Sequence, residues 1–279
     1  MFDRLPGAIA RAFLMAMLVA TPALILPNVS SDATQVVVLV AIFAAALTLF
    51  EYASSYPGLV EFRDAPPFNR IRFASLFATV FLISLVVRGG TEHSTAIQFV
   101  EAVGTLIGQS IDFPYSPVRL IVLMLPENAS AQDIITLRTA AGMAYLISLL
   151  SLAVFLIVLR AFNWPNSHEK FNVWINLPTF DPTTGGDVVT RLERDARFNV
   201  AMGFLLPFIT PVIVKAAAGA FGSVSLANEQ TMIWTISAWA FLPAGLFMRG
   251  IAMQRVAGMI AEQRERQGLG EAGQALQPV

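Results

Sequence analysis

The chain has 279 residues, 56% of them hydrophobic and 13% charged, with a mean hydropathy of +0.64 and a formal net charge of −1. That composition excludes an ordinary water-soluble domain and places the chain in lipid. The balanced, dispersed charge gives no footprint for nucleic acid, and the absence of cysteine excludes disulfides, thiolate metal sites, iron–sulfur clusters and thiol nucleophiles.

The expected fold is all-α: a polytopic membrane helix bundle of six transmembrane helices forming a single domain over residues 1–267. The first apolar run, 8–26, follows a short basic start and reads as a membrane helix instead of a signal peptide, because Pro22 and Pro27 spoil a small-residue cleavage site. A short polar bend leads into the second span, 35–50, so the two form a hairpin. A loop over 51–70 precedes the third and shortest span, 71–87, whose bracketing arginines can snorkel to the headgroups. The outer connection, 89–138, carries two apolar segments: an amphipathic stretch, 95–111, and a run at 118–125 that is too short to cross. They predict either a re-entrant element or a cap on the outer leaflet. Gly104-Thr-Leu-Ile-Gly108 invites comparison with a pore loop but lacks the glycine-tyrosine-glycine filter of a potassium channel.

Ser130 and Asp133 have capping-box spacing and predict a helix start that leads into the fourth span, 139–158. After a loop over 163–191, charges spaced three and four apart from Asp187 to Arg197 read as a solvated helix entering the fifth span, 198–220. The sixth span, 232–248, continues into an amphipathic C-terminal helix to 267, expected on the cytoplasmic surface, with a disordered tail over 268–279.

Orientation comes from the basic residues. Fourteen of the eighteen fall in alternate gaps between the apolar runs, leaving only Arg88, Arg119, Arg138 and Lys215 in the others. By the positive-inside rule both termini are then cytoplasmic. Sixteen arginines against two lysines, with abundant alanine, point to a bacterial genome and hence to the bacterial inner membrane.

Functional signals are sparse. Phe62, Arg63, Asp64, Phe68, Trp164, Trp174 and Phe180 lie in the two cytoplasmic loops, where mixed aromatic and charged residues suit headgroup anchors or a partner-docking surface. Pro207, Thr210, Pro211, Lys215 and Pro243 mark kinks in the fifth and sixth helices, the kind of broken backbone transporters use to bind solutes. No acidic residue lies deep in a span, which disfavours proton coupling. His93 and His168 fall on opposite sides of the membrane, so no haem is expected, and no other cofactor or metal. The leading expectation is a non-enzymatic membrane protein that binds, assembles or regulates a larger membrane complex, its partners being the bilayer and other membrane proteins or a second copy of itself. A carrier or channel for a neutral or weakly polar solute is the alternative. A membrane enzyme comes third, with Asp181, Asp187, Arg191 and Arg194 as its one polar cluster.

Overall fold

The computed structural model describes residues 4–275 apart from 28, 91–93, 127, 166–170, 182, 184, 222–225 and 227, and apart from the side chains of 174, 217–221 and 269–275. His93 and His168 lie outside this set. The described residues are helical and contain no strand. Six helices are long and apolar enough to cross a membrane, so the chain is a multi-pass helical membrane protein.

Helix α1 (Leu5–Ile25) and helix α2 (Ser31–Ala53) form the expected hairpin, with the Ser30 hydroxyl capping α2 by accepting from the Ala33 N–H at 3.2 Å. Only Ala41 and Glu51 of α2 are buried, so Val36, Leu39, Ile42, Phe43 and Phe50 face outward, as a helix bathed in lipid requires. Helix α3 (Phe68–Arg88) packs on α1, and Arg88 donates to the Ile25 carbonyl at 3.1 Å.

The outer connection folds into α4 (Thr95–Ser110) and α5 (Pro117–Val122). Helix α6 (Ala131–Ala161) begins at the predicted capping box: Asp133 donates its backbone N–H to the Ser130 hydroxyl at 3.1 Å, and its carboxylate accepts from the Ser130 N–H at 3.0 Å. Helix α4 crosses α6 through glycines. A Cβ on Gly142 would lie 2.5 Å from the backbone of Gly108, and one on Gly108 would lie 2.6 Å from the Arg138 carbonyl. Thr105 and Thr139 share a hydrogen bond at 3.1 Å beside this contact. The Gly104–Gly108 pair is thus a close helix-crossing surface in place of a pore-type loop.

After α7 (Val173–Asn176), α8 (Val188–Phe221) and α9 (Glu229–Ala275) pack against each other along their length. Helix α9 runs unbroken through Gly268 to Ala275, and residues 276–279 lie outside the described residues. After Arg249, residues 261–268 are exposed, whereas Ala252, Met253, Val256 and Ala257 are fully buried against residues from other elements. Those four supply one helical face, and protein instead of lipid covers it.

The bundle has two cores. One, around Ile83, Ile121, Leu137, Ile236 and Trp239, lies toward α5. The other, around Phe62, Phe68, Phe155, Leu177, Met248 and Val256, gathers the α2–α3 and α6–α8 connections against α9 and forms a cap at one end.

Candidate functional site

The cap begins with a carboxylate at the end of α2. Glu51 turns back into the following loop and accepts backbone N–H bonds from Gly58 at 3.0 Å, Leu59 at 2.9 Å and Val60 at 3.1 Å. A loop that binds an anion with three successive amides is held in one shape. Arg63 then reaches the same helix end from the other side, donating Nη1 to the carbonyls of Glu51 at 2.9 Å and Ser54 at 2.7 Å. These carbonyls lack helical partners, and the guanidinium caps them. Its remaining edge takes Asp64 with two contacts of 3.1 Å.

The second loop straps the first. Phe62, at φ 51°, donates its N–H to the Asn176 carbonyl at 2.6 Å, and the Asn176 side-chain oxygen accepts from the Asp64 N–H at 3.1 Å. The left-handed backbone at Phe62 turns its ring inward, 4.5 Å from Phe68 and 5.7 Å from Trp164 between centroids.

The docking residues read from the sequence therefore need correction as a surface. Phe62 and Phe68 are completely buried, and Arg63, Trp164 and Phe180 are nearly so. Their rings have enough apolar neighbours from two loops and three helices to leave the interface region. Arg191 covers Phe180, 4.8 Å from the ring. Asp64 stays accessible, and the Trp174 side chain lies outside the described residues.

A bidentate pair joins cap to bundle. Glu61 accepts from Arg249 Nε at 2.6 Å and Nη2 at 2.8 Å, and from the Thr179 hydroxyl at 2.6 Å. Burial pushes the Glu61 carboxyl up, but the Arg249 and Thr179 hydrogen bonds outweigh it and hold the group below its ordinary 4.5. The polar cluster considered for an enzyme separates into local contacts. Asp187 pairs with Arg264 at 2.6 Å, which with the Thr190 N–H holds its carboxyl at about 2 on the open surface. Arg194 meets Asp195, while Arg191 does meet Asp181, through the latter's backbone carbonyl at 2.9 Å.

Between the two loops lies a groove of about 540 Å³, walled by Asp64, Pro67, Arg70, Phe162, Ile175 and Asn176 among others. That is the size of a pocket for a small molecule or a short peptide segment. Phe162 stands 70% exposed at its edge.

Of the residues read as a candidate solute pathway, Pro207 and Lys215 take part in hydrogen bonds between helices. Pro211 has no N–H to offer the Pro207 carbonyl one turn earlier, and Trp239 of α9 donates its indole N–H there instead, at 3.0 Å in the interior. Pro207, Pro211 and Pro243 are buried, and Thr210 is partly buried. Lys215 does not simply reach for the headgroups; it donates to the Leu123 carbonyl at 2.9 Å and ties α8 to the end of α5.

Several members of the cap were not picked out from the sequence. Glu51 could have been noticed as the charge that closes a long uncharged helix, but Asn176, Glu61 and Arg249 offer no local signal. Among the described residues no group of three or more His, Asp or Glu side chains is placed to hold a metal ion. The chain matches no protein-family model, no curated protein and no solved structure.

Proposed function

We propose that this protein is a scaffold of the bacterial inner membrane that binds a partner in the groove of its cap and so assembles or regulates a larger membrane complex. The observation that carries the reading is the groove between the two loops. Asn176 and Asp64, the latter held by Arg63, form part of its wall, and it opens at Asp64, Arg70 and the exposed Phe162. A half-apolar cleft with charged edges suits a partner segment. The filled carbonyl of Pro207 supports this reading over a solute pathway through α8 and α9.

The cap is assigned to the cytoplasm, since the alternate sequence gaps that include its two connections hold fourteen of the eighteen basic residues, all except Arg88, Arg119, Arg138 and Lys215. Both termini then lie inside. A photo-crosslinking amino acid at position 162, in cells expressing the tagged protein, should yield one stoichiometric adduct, and Phe162→Glu should prevent its co-purification while leaving membrane insertion unchanged. Solute flux or substrate turnover by the purified protein alone in liposomes would reject the scaffold.

A further inference from the structure

Helix α4 has 16 residues, too few to cross a bilayer, and it presents three different arcs around its axis. Ile97, Gly104 and Gly108 are buried. Gln98 and Gln109, three turns apart on one flank, are both exposed. The remaining arc is apolar: Ala96, Phe99, Val103, Leu106 and Ile107, with Phe99 69% and Leu106 65% exposed.

The contacts of α4 place it across the ends of two spans. A Cβ on Gly89, which follows α3 directly, would meet Ile97 and Glu101 in the first half of α4. In the second half, Gly104, Thr105 and Gly108 meet Arg138, Thr139 and Gly142, where the apolar run of α6 begins. These two contacts are about 10 Å apart along α4, the spacing of packed helices, and both lie at the end of the bundle remote from the cap. The glutamines give the tilt. Eleven residues of helix rise about 16 Å, so an upright α4 would sink one exposed amide that far into the acyl chains. With the axis in the membrane plane, both amides reach water at one level, and Phe99 and Leu106 share one depth.

We propose that α4 is an interfacial helix whose partner is the lipid surface remote from the cap. It inserts Phe99, Leu106 and their apolar neighbours between headgroups and acyl chains and turns Gln98 and Gln109 to water. Its apolar arc continues the exposed faces of the two spans it rests on, at Phe81 of α3 and at Leu149 and Leu150 of α6. Phe113 and Tyr115, just beyond its C-terminus, are exposed too, and aromatic rings favour the headgroup level. This inference is independent of the scaffold reading.

The chain has no cysteine, so single nitroxide labels test it directly. Gln98→Cys, Phe99→Cys, Leu106→Cys and Gln109→Cys all alter exposed side chains, and each labelled full-length protein is placed in phosphatidylcholine liposomes. Collision with oxygen, which concentrates in lipid, is compared with collision with a water-soluble nickel chelate. Labels at 99 and 106 should favour oxygen and report one depth, about 5–10 Å below the headgroup boundary, while labels at 98 and 109 favour nickel. Depths at 99 and 106 that differ by about 10 Å would show an upright, re-entrant helix and overturn the proposal. Nickel access at all four positions, or shielding of 99 and 106 from both reagents by a second copy, would overturn it as well.

Discussion

Trp239 donates its indole N–H to the carbonyl of Pro207, 3.0 Å away across the α8–α9 contact, at the one turn where Pro211 has removed the helical donor. A proline kink is thereby joined to a cross-helix hydrogen bond in a region with no water to substitute.

That relationship predicts a thermodynamic coupling. Trp239→Phe leaves the buried Pro207 carbonyl unpaired and should cost about 1–3 kcal/mol. Pro211→Ala restores the N–H within α8, so Trp239→Phe should cost less in that background, with a coupling of at least about 0.5 kcal/mol. Unfolding of the four proteins in one detergent measures this. Costs that simply add would show that Trp239 acts through packing alone.

The Arg63 guanidinium is the second prediction. Its side chain is 1% exposed and holds two carbonyls at the end of α2 as well as Asp64. Arg63→Met should destabilise the protein by on the order of 3 kcal/mol, since one buried and one partly buried acceptor lose their donor at once. The loop from Ser54 to Pro67 should then become a site of protease cleavage, visible by mass spectrometry of the fragments. Cleavage equal to that of the parent protein would mean that Glu51 alone fixes the loop.

Glu61 gives a pH dependence with a definite sign. Its folded-state carboxyl lies below the ordinary 4.5, so its contribution is fully present above that value and is lost as pH falls through the folded-state value. The difference in melting temperature between the parent and Glu61→Gln should be constant from neutral pH to about 5 and should shrink below about 4.5. Asp187 is a control: its pair with Arg264 is solvent-exposed, and Asp187→Asn should leave the melting temperature unchanged. A difference that stays constant down to pH 3 would remove Glu61 from the acid response.

The six spans, the Ser130 cap and the charged entry to α8 were legible because each rests on hydropathy or on spacings of three and four residues along one helix. The cap was not. Phe62 and Trp164 sit among prolines and charges, so local composition reads them as surface, whereas partners distant in sequence bury them. Glu61 and Arg249 stand 188 positions apart, and Asp64 and Asn176 stand 112 apart. After Arg249 the buried face of α9 is Ala252, Met253, Val256 and Ala257, and small alanines on a helix give no local sign that they are meant for protein instead of lipid. Gly104 and Gly108 carried a real signal of close helix approach, and the comparison with a pore loop obscured it.

That glycine contact supplies the last prediction. Gly142 meets backbone atoms of Gly108, which cannot swing aside as a side chain can, so Gly142→Ala must push α4 off α6. The chain has no cysteine of its own, so a cysteine pair reports cleanly. Thr105→Cys with Thr139→Cys, whose hydroxyls lie 3.1 Å apart, should cross-link readily under mild oxidation. Adding Gly142→Ala should cut the yield severely, whereas Gly185→Ala, which has open space around it, should not. A cross-link that survives Gly142→Ala at full yield would show that α4 does not lie across α6 at this point, and the outer connection would then need a different packing.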